Sequence, residues 1–377
     1  MKKLILLFVA SILFSLWVPA QKKADIGSLK LIGEYDLPHN LPFKGTTVGG
    51  LSGIDYDSKT QTYHMICDDR SQINPARYYS AKIFFNEKKI DSVVFVNVTT
   101  LLQPDGKPYP DSKTDPFHTP DPEALRYNPL TQQMIWTSEG ERIVRGKDTV
   151  LENPAITIIS RDGKFIDTFP LPRNLWMHAT ENGPRQNGVL EGLSFADQFK
   201  TLYVNLEEPR YEDGPRAETK PNEAWIRIYR FDVERKKNTA QYAYKLDPIA
   251  YPASPEDAFK INGIPDILSI GDEKLIVLER SFSTGRIPCT IKIFIADMKG
   301  ASDISNIPSL IKMPVAKPVQ KKLLLNMDSL GVYTDNIEGI TFGPSLPNGH
   351  RTLVLVADNN FLSFEKTQFF VFEILPQ

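Results

Sequence analysis

Residues 189–209 read V-L-E-G-L-S-F-A-D-Q-F-K-T-L-Y-V-N-L-E-E-P: a short apolar strand opened by Glu191 and Gly192, a polar turn, and a second apolar strand closed by Glu207 and Glu208. The unit returns four times. Its other copies run G-G-L-S-G-I-D-Y-D to Y-H-M-I-C-D-D-R (49–70), D-P-E-A-L-R-Y-N to M-I-W-T-S-E (121–139), N-G-I-P-D-I-L-S-I to K-L-I-V-L-E-R (262–280), and N-I-E-G-I-T-F to T-L-V-L-V-A-D-N-N (336–360). Starts lie roughly 70 residues apart, long for a solenoid turn but suited to a four-stranded propeller blade with generous loops.

After each pair come two more segments rich in β-branched and aromatic residues and bounded by Gly, Asn, Asp or Pro: 77–85 with 91–101, 155–160 with 165–171, 225–232 with 240–246, and 290–297 with 322–327. The fifth copy has only 368–375 before the chain ends. Residues 29–37, L-K-L-I-G-E-Y-D-L, resemble the fourth strands, notably F-I-D-T-F-P-L at 165–171. The pattern therefore predicts an all-β propeller of five four-stranded blades, closed by the N-terminal strand; six blades is the alternative. Closure removes both free sheet edges.

Residues 1–20 carry two lysines, an apolar run over 4–18 and V-P-A before Gln21, the pattern of a signal peptide cleaved near Ala20. The expected product is an exported protein, periplasmic or extracellular, with residues 21–377 as one propeller domain, a monomer with no membrane span. Formal charge is −2 with no basic run, which excludes a nucleic-acid partner. Cys67 and Cys289 fall in different repeats and are expected to be separate buried thiols.

Acids recur with the strands. In a propeller the innermost strand starts on the face where the second strand ends, so both acidic positions of each repeat converge on one mouth. Glu123, Glu191 and Glu338 open innermost strands, with Ser52 and Ile264 near the equivalent points, while Asp68, Asp69, Glu139, Glu208, Glu279 and Asp358 close second strands. Longer connections (102–120, 140–154, 209–223) gather on that face, whereas 299–321 is expected on the far side. Crowded carboxylates stay ionised only if something positive offsets them. Oxygen-only donors suit a hard cation, Ca²⁺ first, with Mg²⁺ or Mn²⁺ as alternatives; the five scattered histidines and two cysteines form no zinc spacing. The plain alternative is that these acids cap strand ends.

The expected ligands are Asp69, Glu139, Glu208, Glu338 and Asp358. Glu123 or Glu191 would manage a proton in metal-assisted phosphoester hydrolysis, and Arg70 or Arg280 would offset phosphoryl charge. Each arginine serves equally well as an ion-pair partner for the acids. Ser52, in G-L-S-G, lacks the setting of a nucleophile elbow and reads as a small residue packed at the channel.

Taken together, G-G-L-S-G-I-D-Y-D with D-D-R-S, D-P-E-A-L-R-Y-N, N-G-V-L-E-G-L-S, L-E-R-S-F, D-N-I-E-G-I-T-F-G-P and A-D-N-N-F resemble the phytase-like family described as having esterase-like activity of phytase. The resemblance covers about 49–372. It departs at Ala124 and Leu190, where Gly and an aromatic are expected, and at Ala357, where Ser is expected. The resemblance implies an exported propeller linked to hydrolysis of a small phosphoester or carboxylester. The competing reading is a non-catalytic propeller that binds a ligand, glycan or protein.

Overall fold

Five inner strands approach one axis because small residues let them. A Cβ on Gly53 would lie 2.8 Å from the Glu123 carbonyl oxygen, and one on Gly192 would lie 2.6 Å from Asp266 Cα. These contacts join the first blade to the second and the third to the fourth. The computed structural model describes residues 26–377, so the expected signal peptide lies outside the described residues.

Four-stranded antiparallel sheets surround the axis. The first blade comprises Leu51–Asp57, Thr62–Cys67, Arg77–Phe85 and Ile90–Thr100. The second comprises Pro122–Asn128, Gln133–Ser138, Ala155–Ser160 and Phe165–Thr168. The third comprises Leu190–Ala196, Thr201–Leu206, Trp225–Asp232 and Lys237–Lys245. In the fourth, Lys274–Ser283, Thr290–Asp297 and Gln320–Asn326 follow an inner strand split into Lys260–Gly263 and Ile267–Gly271. The split falls at Pro265, which has no N–H for the ladder.

Asn336–Gly343, Thr352–Asp358 and Gln368–Leu375 form the fifth blade, and Ser28–Asp36 pairs with the last of them, from Ser28 opposite Leu375 to Asp36 opposite Gln368. The N-terminal strand thus closes the ring as the pattern predicts. Second strands such as Thr62–Cys67 are buried along their whole length, because both sheet faces pack against neighbouring blades. Ile54, Met65 and Tyr79 meet Val354, Val356 and Phe369 between the first and fifth blades. Cys67 and Cys289 are free and buried.

One buried ion pair occupies the axis. The inner strands carry Gly53, Gly192 and Gly339 at matching points, but the fourth carries Asp266. Arg126 of the second blade donates to both Asp266 oxygens at 2.7 and 2.8 Å, and to the carbonyls of Ile54, Ile267 and Ile340. Asp266 also accepts the Ile340 amide at 2.9 Å. Four blades are thereby tied to one guanidinium–carboxylate pair.

Residues 298–319 do not stay on the far side as the sequence suggests. They leave that face, run along the outer strand of the third blade through Ile304 N–Gln241 O and Val319 N–Ala243 O, and reach the mouth-side loop, where Arg210 donates to Pro308 O at 3.2 Å. Buried Ile304 and Leu310 pack on Ala243, with Ile307 and Val315 beside them, so apolar contact holds the segment against the third blade. Asp213 ties this region together by pairing with both Arg210 and Arg227 at 2.7 Å.

Deleting residues up to Leu37 uncovers the edge of Gln368–Leu375 and removes the buried Ile32. The truncated protein is expected to melt at least several degrees below one that retains the strand, with aggregation on heating. Equal melting temperatures by calorimetry would show that the ring does not depend on this closure.

Candidate active site

Two rings of side chains meet at the mouth where inner strands begin. The first ring follows the inner strands: Ser52, Glu123, Glu191 and Glu338 each come one residue after Leu51, Pro122, Leu190 and Ile337, which pair with Cys67, Ser138, Leu206 and Ala357 on the second strands. The second ring consists of the next residues on those second strands, Asp68, Glu139, Glu207 and Asp358. In the fourth blade the same register reaches Arg280, because Ile267 pairs with Val277.

Most of these groups line a cavity of about 930 Å³ together with Arg70, Asp121, Arg286 and Tyr333. Glu139 and Asp358 are more deeply buried, at 2% and 0% exposure. Glu139, Asp121 and Glu123 offer oxygens that all lie within 4.8 Å of one another. Two ionised carboxylates at that distance, at an effective dielectric of about 20, repel by about 3.5 kcal/mol, equivalent to about 2.5 pKa units. The triad therefore retains protons or takes a cation.

Burial is the main cause of the raised pKa values, and neighbouring acids add to it. Glu123 is pushed well above its ordinary value by burial, then by Glu191, Asp121, Glu139 and Asp68. Glu191 rises for the same reason, with Glu139, Glu207 and Glu338 adding to burial and Arg280 opposing them. Glu139 rises through burial, Asp121 and Glu207, although it accepts the Val189 amide. Asp68 and Asp358 are both raised by burial and by nearby acids. Asp121 reaches about 6 and Glu338 about 8, burial leading in each and Arg70 or Arg280 opposing.

Arg280 remains charged despite burial because Glu207 and Glu338 surround it; it bonds to Glu207 and lies 3.4 Å from Glu338. Arg70 pairs with Glu141 and approaches Asp121 at 3.8 Å. Arg280 Nε, Arg70 Nε and Nη2, and Asp358 Oδ2 are buried without a hydrogen-bond partner among the described residues. The cup thus has unused donors beside unused carboxylate capacity.

Not every residue expected at this site contributes to it. Glu123, Glu191, Arg70, Arg280 and Glu338 line the cup, and Glu139 and Asp358 are buried against its acids. Asp69 also lines the cavity, but its carboxylate is committed within its own blade. It pairs with Arg77 at 2.7 Å and accepts the amides of Gln72, Ile73 and Asn74. Glu208 is held by Arg216 at 2.8 Å and does not line the cup. Both are one residue beyond the ring position, which falls on Asp68 and Glu207. Glu279 bonds to Tyr244, Lys321 and Asn262. Ser52 Oγ donates to the Glu123 carbonyl at 2.7 Å, joining two blades rather than facing a substrate.

Sequence reasoning did not select Asp121, which precedes the strand, or Glu141 and Glu152, which lie in a hairpin of Glu141–Ile143 with Val150–Glu152. The D-P-E spacing of Asp121 and Glu123 was the available signal. The oxygen-only donor set, close spacing and burial of Asp121, Glu123 and Glu139 fit a hard cation.

The family model for the phytase-like family, described as esterase-like activity of phytase, matches residues 46–361. The chain belongs to this family. The match includes both acid rings and the Arg126–Asp266 pair. No curated protein matches the chain. Among solved structures, it is similar to an endo-arabinase from Bacteroides thetaiotaomicron (13% identity, 90% of this chain and 98% of that one, TM-score 0.41). It is also similar to an exo-β-1,3-galactanase from Phanerochaete chrysosporium (11%, 92% and 64%, TM-score 0.47) and a gluconolactonase from Xanthomonas campestris (11%, 93% and 91%, TM-score 0.37).

In this phytase-like protein the raised acids give a signed pH dependence. The native state keeps protons that the unfolded chain loses above about pH 4.5, so stability falls as pH rises through the folded values of about 6 for Asp121 and about 8 for Glu338. Glu373, lowered to about 2 by Lys30, His350 and Asn348, acts in the opposite sense only below its unfolded value. The urea midpoint of chelator-treated protein is expected to drop between about pH 5 and 8; a flat or rising midpoint would show that the folded protein does not raise these acids and that their charge is already offset.

Proposed function

We propose that this phytase-like propeller is an exported hydrolase of a small ester, with a phosphoester as the leading substrate class, and that it uses Ca²⁺ at its acidic mouth. The supporting observation is the Asp121–Glu123–Glu139 triad, whose oxygens lie within 4.8 Å of one another in a buried site. These three would hold the cation, with Glu191, Glu207 and Glu338 in the surrounding wall. A bound Ca²⁺ would supply Lewis-acid polarisation of a phosphoryl oxygen.

The chain's own groups account for the remaining roles. Arg280, charged and with Nε unpartnered, offsets charge on phosphoryl oxygens, and Arg70 supplies further unpartnered N–H groups. Burial and the neighbouring Glu139 raise Glu191 well above the ordinary carboxylate range, so it is placed to deliver a proton to a leaving alcohol. The plugged axis leaves the cup open only at its mouth, which limits water around the acids. The engagement of Ser52 by the Glu123 carbonyl favours this reading over a serine nucleophile.

A metal-supplemented screen of phosphomonoesters, phosphodiesters and carboxylesters tests the activity. Glu191→Gln keeps the shape but removes the acid, and turnover is expected to fall by at least about 100-fold with stability near or above wild type, since carboxylate repulsion is relieved. Unfolding of the variant, or unchanged turnover, would return Glu191 to a structural role. Saturable ligand binding without turnover would favour a binding propeller.

A further inference from the structure

Above the acids the mouth is apolar on one side. Ile73, Phe259, Ile287, Leu362 and Phe364 line the same cavity and are 49%, 59%, 71%, 41% and 69% exposed. Exposed apolar side chains are ordinary when scattered, whereas several around one cavity mark a binding surface. These five come from consecutive blades: Phe259 and Ile287 from the fourth, Leu362 and Phe364 from the fifth, and Ile73 from the first. The Asp121–Glu123–Glu139 triad belongs to the second blade, which in a ring of five faces the junction of the fourth and fifth.

Local hydrogen bonds hold this collar in place. The Phe259 carbonyl accepts the Thr284 amide at 3.0 Å and its hydroxyl at 2.8 Å, which fixes Phe259 beside the turn that carries Ile287. Phe259 also packs against Phe282 at 6.0 Å. The fifth-blade loop is pinned by Leu362 N to Asn359 O at 2.7 Å and by Asn360 Nδ2 to Glu365 at 2.8 Å. A surface already ordered loses little side-chain freedom on binding.

Charge limits what fits below the collar. Arg70, Arg280 and Arg286 are the arginines lining the cavity among the described residues, and each already lies beside a carboxylate: Glu141, Glu207 and Asp328 respectively. One cation and a few unpartnered N–H groups can balance one phosphate. Several phosphates would bring most of their charge against Asp68, Asp121, Glu123, Glu191 and Glu338.

We infer that the substrate is an amphiphilic phosphomonoester, with one phosphate at the acids and one apolar alcohol arm lying on the collar, and not a polyphosphorylated ring. This deepens the hydrolase reading above and rests on it. In the reaction, water oxygen forms a bond to phosphorus as the ester P–O bond breaks. The leaving oxygen takes a proton, giving inorganic phosphate and an apolar alcohol, with no oxidant or further reactant needed.

The test uses the whole protein with Ca²⁺ and three probes in calorimetry: methylphosphonate, octylphosphonate below its micelle concentration, and myo-inositol hexakisphosphate. Octylphosphonate is expected to bind at least about tenfold tighter than methylphosphonate, as burial of several CH₂ groups requires, and tighter than the hexakisphosphate. Ile287→Ser with Phe364→Ser, both on exposed loops, should bring the octyl-to-methyl ratio towards one. Equal affinities for the two phosphonates, or tightest binding of the hexakisphosphate, would overturn the inference, even if octyl and methyl phosphates were both hydrolysed. Octyl selectivity that the double variant abolishes would support the collar even if no ester were cleaved, a result that would count against the hydrolase reading alone.

Discussion

The Arg126–Asp266 pair fixes the geometry on which the site depends. Three inner strands place glycine beside the axis, the second places Ala124, and the fourth alone places a side chain that reaches Arg126. Breaking such a buried pair by removing one partner typically costs about 3 to 5 kcal/mol, because the remaining charge loses its compensation. Here the guanidinium also satisfies three carbonyls from different blades. The pair therefore sets the spacing of the inner strands and blocks the channel beneath the acids.

A blocked channel changes what the acids above it experience. In an open pore, water would screen them; in this closed cup, burial is the leading cause of every raised acid discussed. The charge imbalance arises from blade repetition, since a structural register that places one acid per blade places a ring of them. The first blade has Ser52 at one ring position, and the fourth has no acid at either, with Pro265 and Arg280 there. That substitution supplies the positive group that Glu207 and Glu338 share.

Much of this was legible in the sequence. The period of the repeat, the strand pattern and the missing fourth strand of the last blade were enough to predict five blades and closure by the N-terminal segment. Convergence of the acids also followed from strand direction. The register within the mouth did not: bulges at the start of the inner strands make a one-residue choice between Asp68 and Asp69, or Glu207 and Glu208, depend on pairing that periodicity does not specify. Asp69 finds Arg77 at the start of the next strand and Glu208 finds Arg216 in its own loop, contacts that depend on how each loop folds. The axial pair was missed because Arg126 and Asp266 are 140 residues apart, and neither breaks the strand pattern strongly enough to be noticed. The course of 298–319 was missed for a similar reason, since its apolar residues, Ile304, Ile307 and Leu310 among them, are interrupted by prolines and follow no strand period.

The central claim is that the acidic mouth holds protons in place of a metal and exchanges them for one. Calorimetric titration of chelator-treated protein with Ca²⁺ at pH 7, in two buffers of different ionisation enthalpy, measures both parts together. The account predicts saturable binding with release of at least about one proton per ion, because a carboxylate must lose its proton to become a ligand, and Glu123→Gln should weaken both. Absence of saturable binding at millimolar Ca²⁺, Mg²⁺ or Mn²⁺, or binding with no proton released, would contradict it.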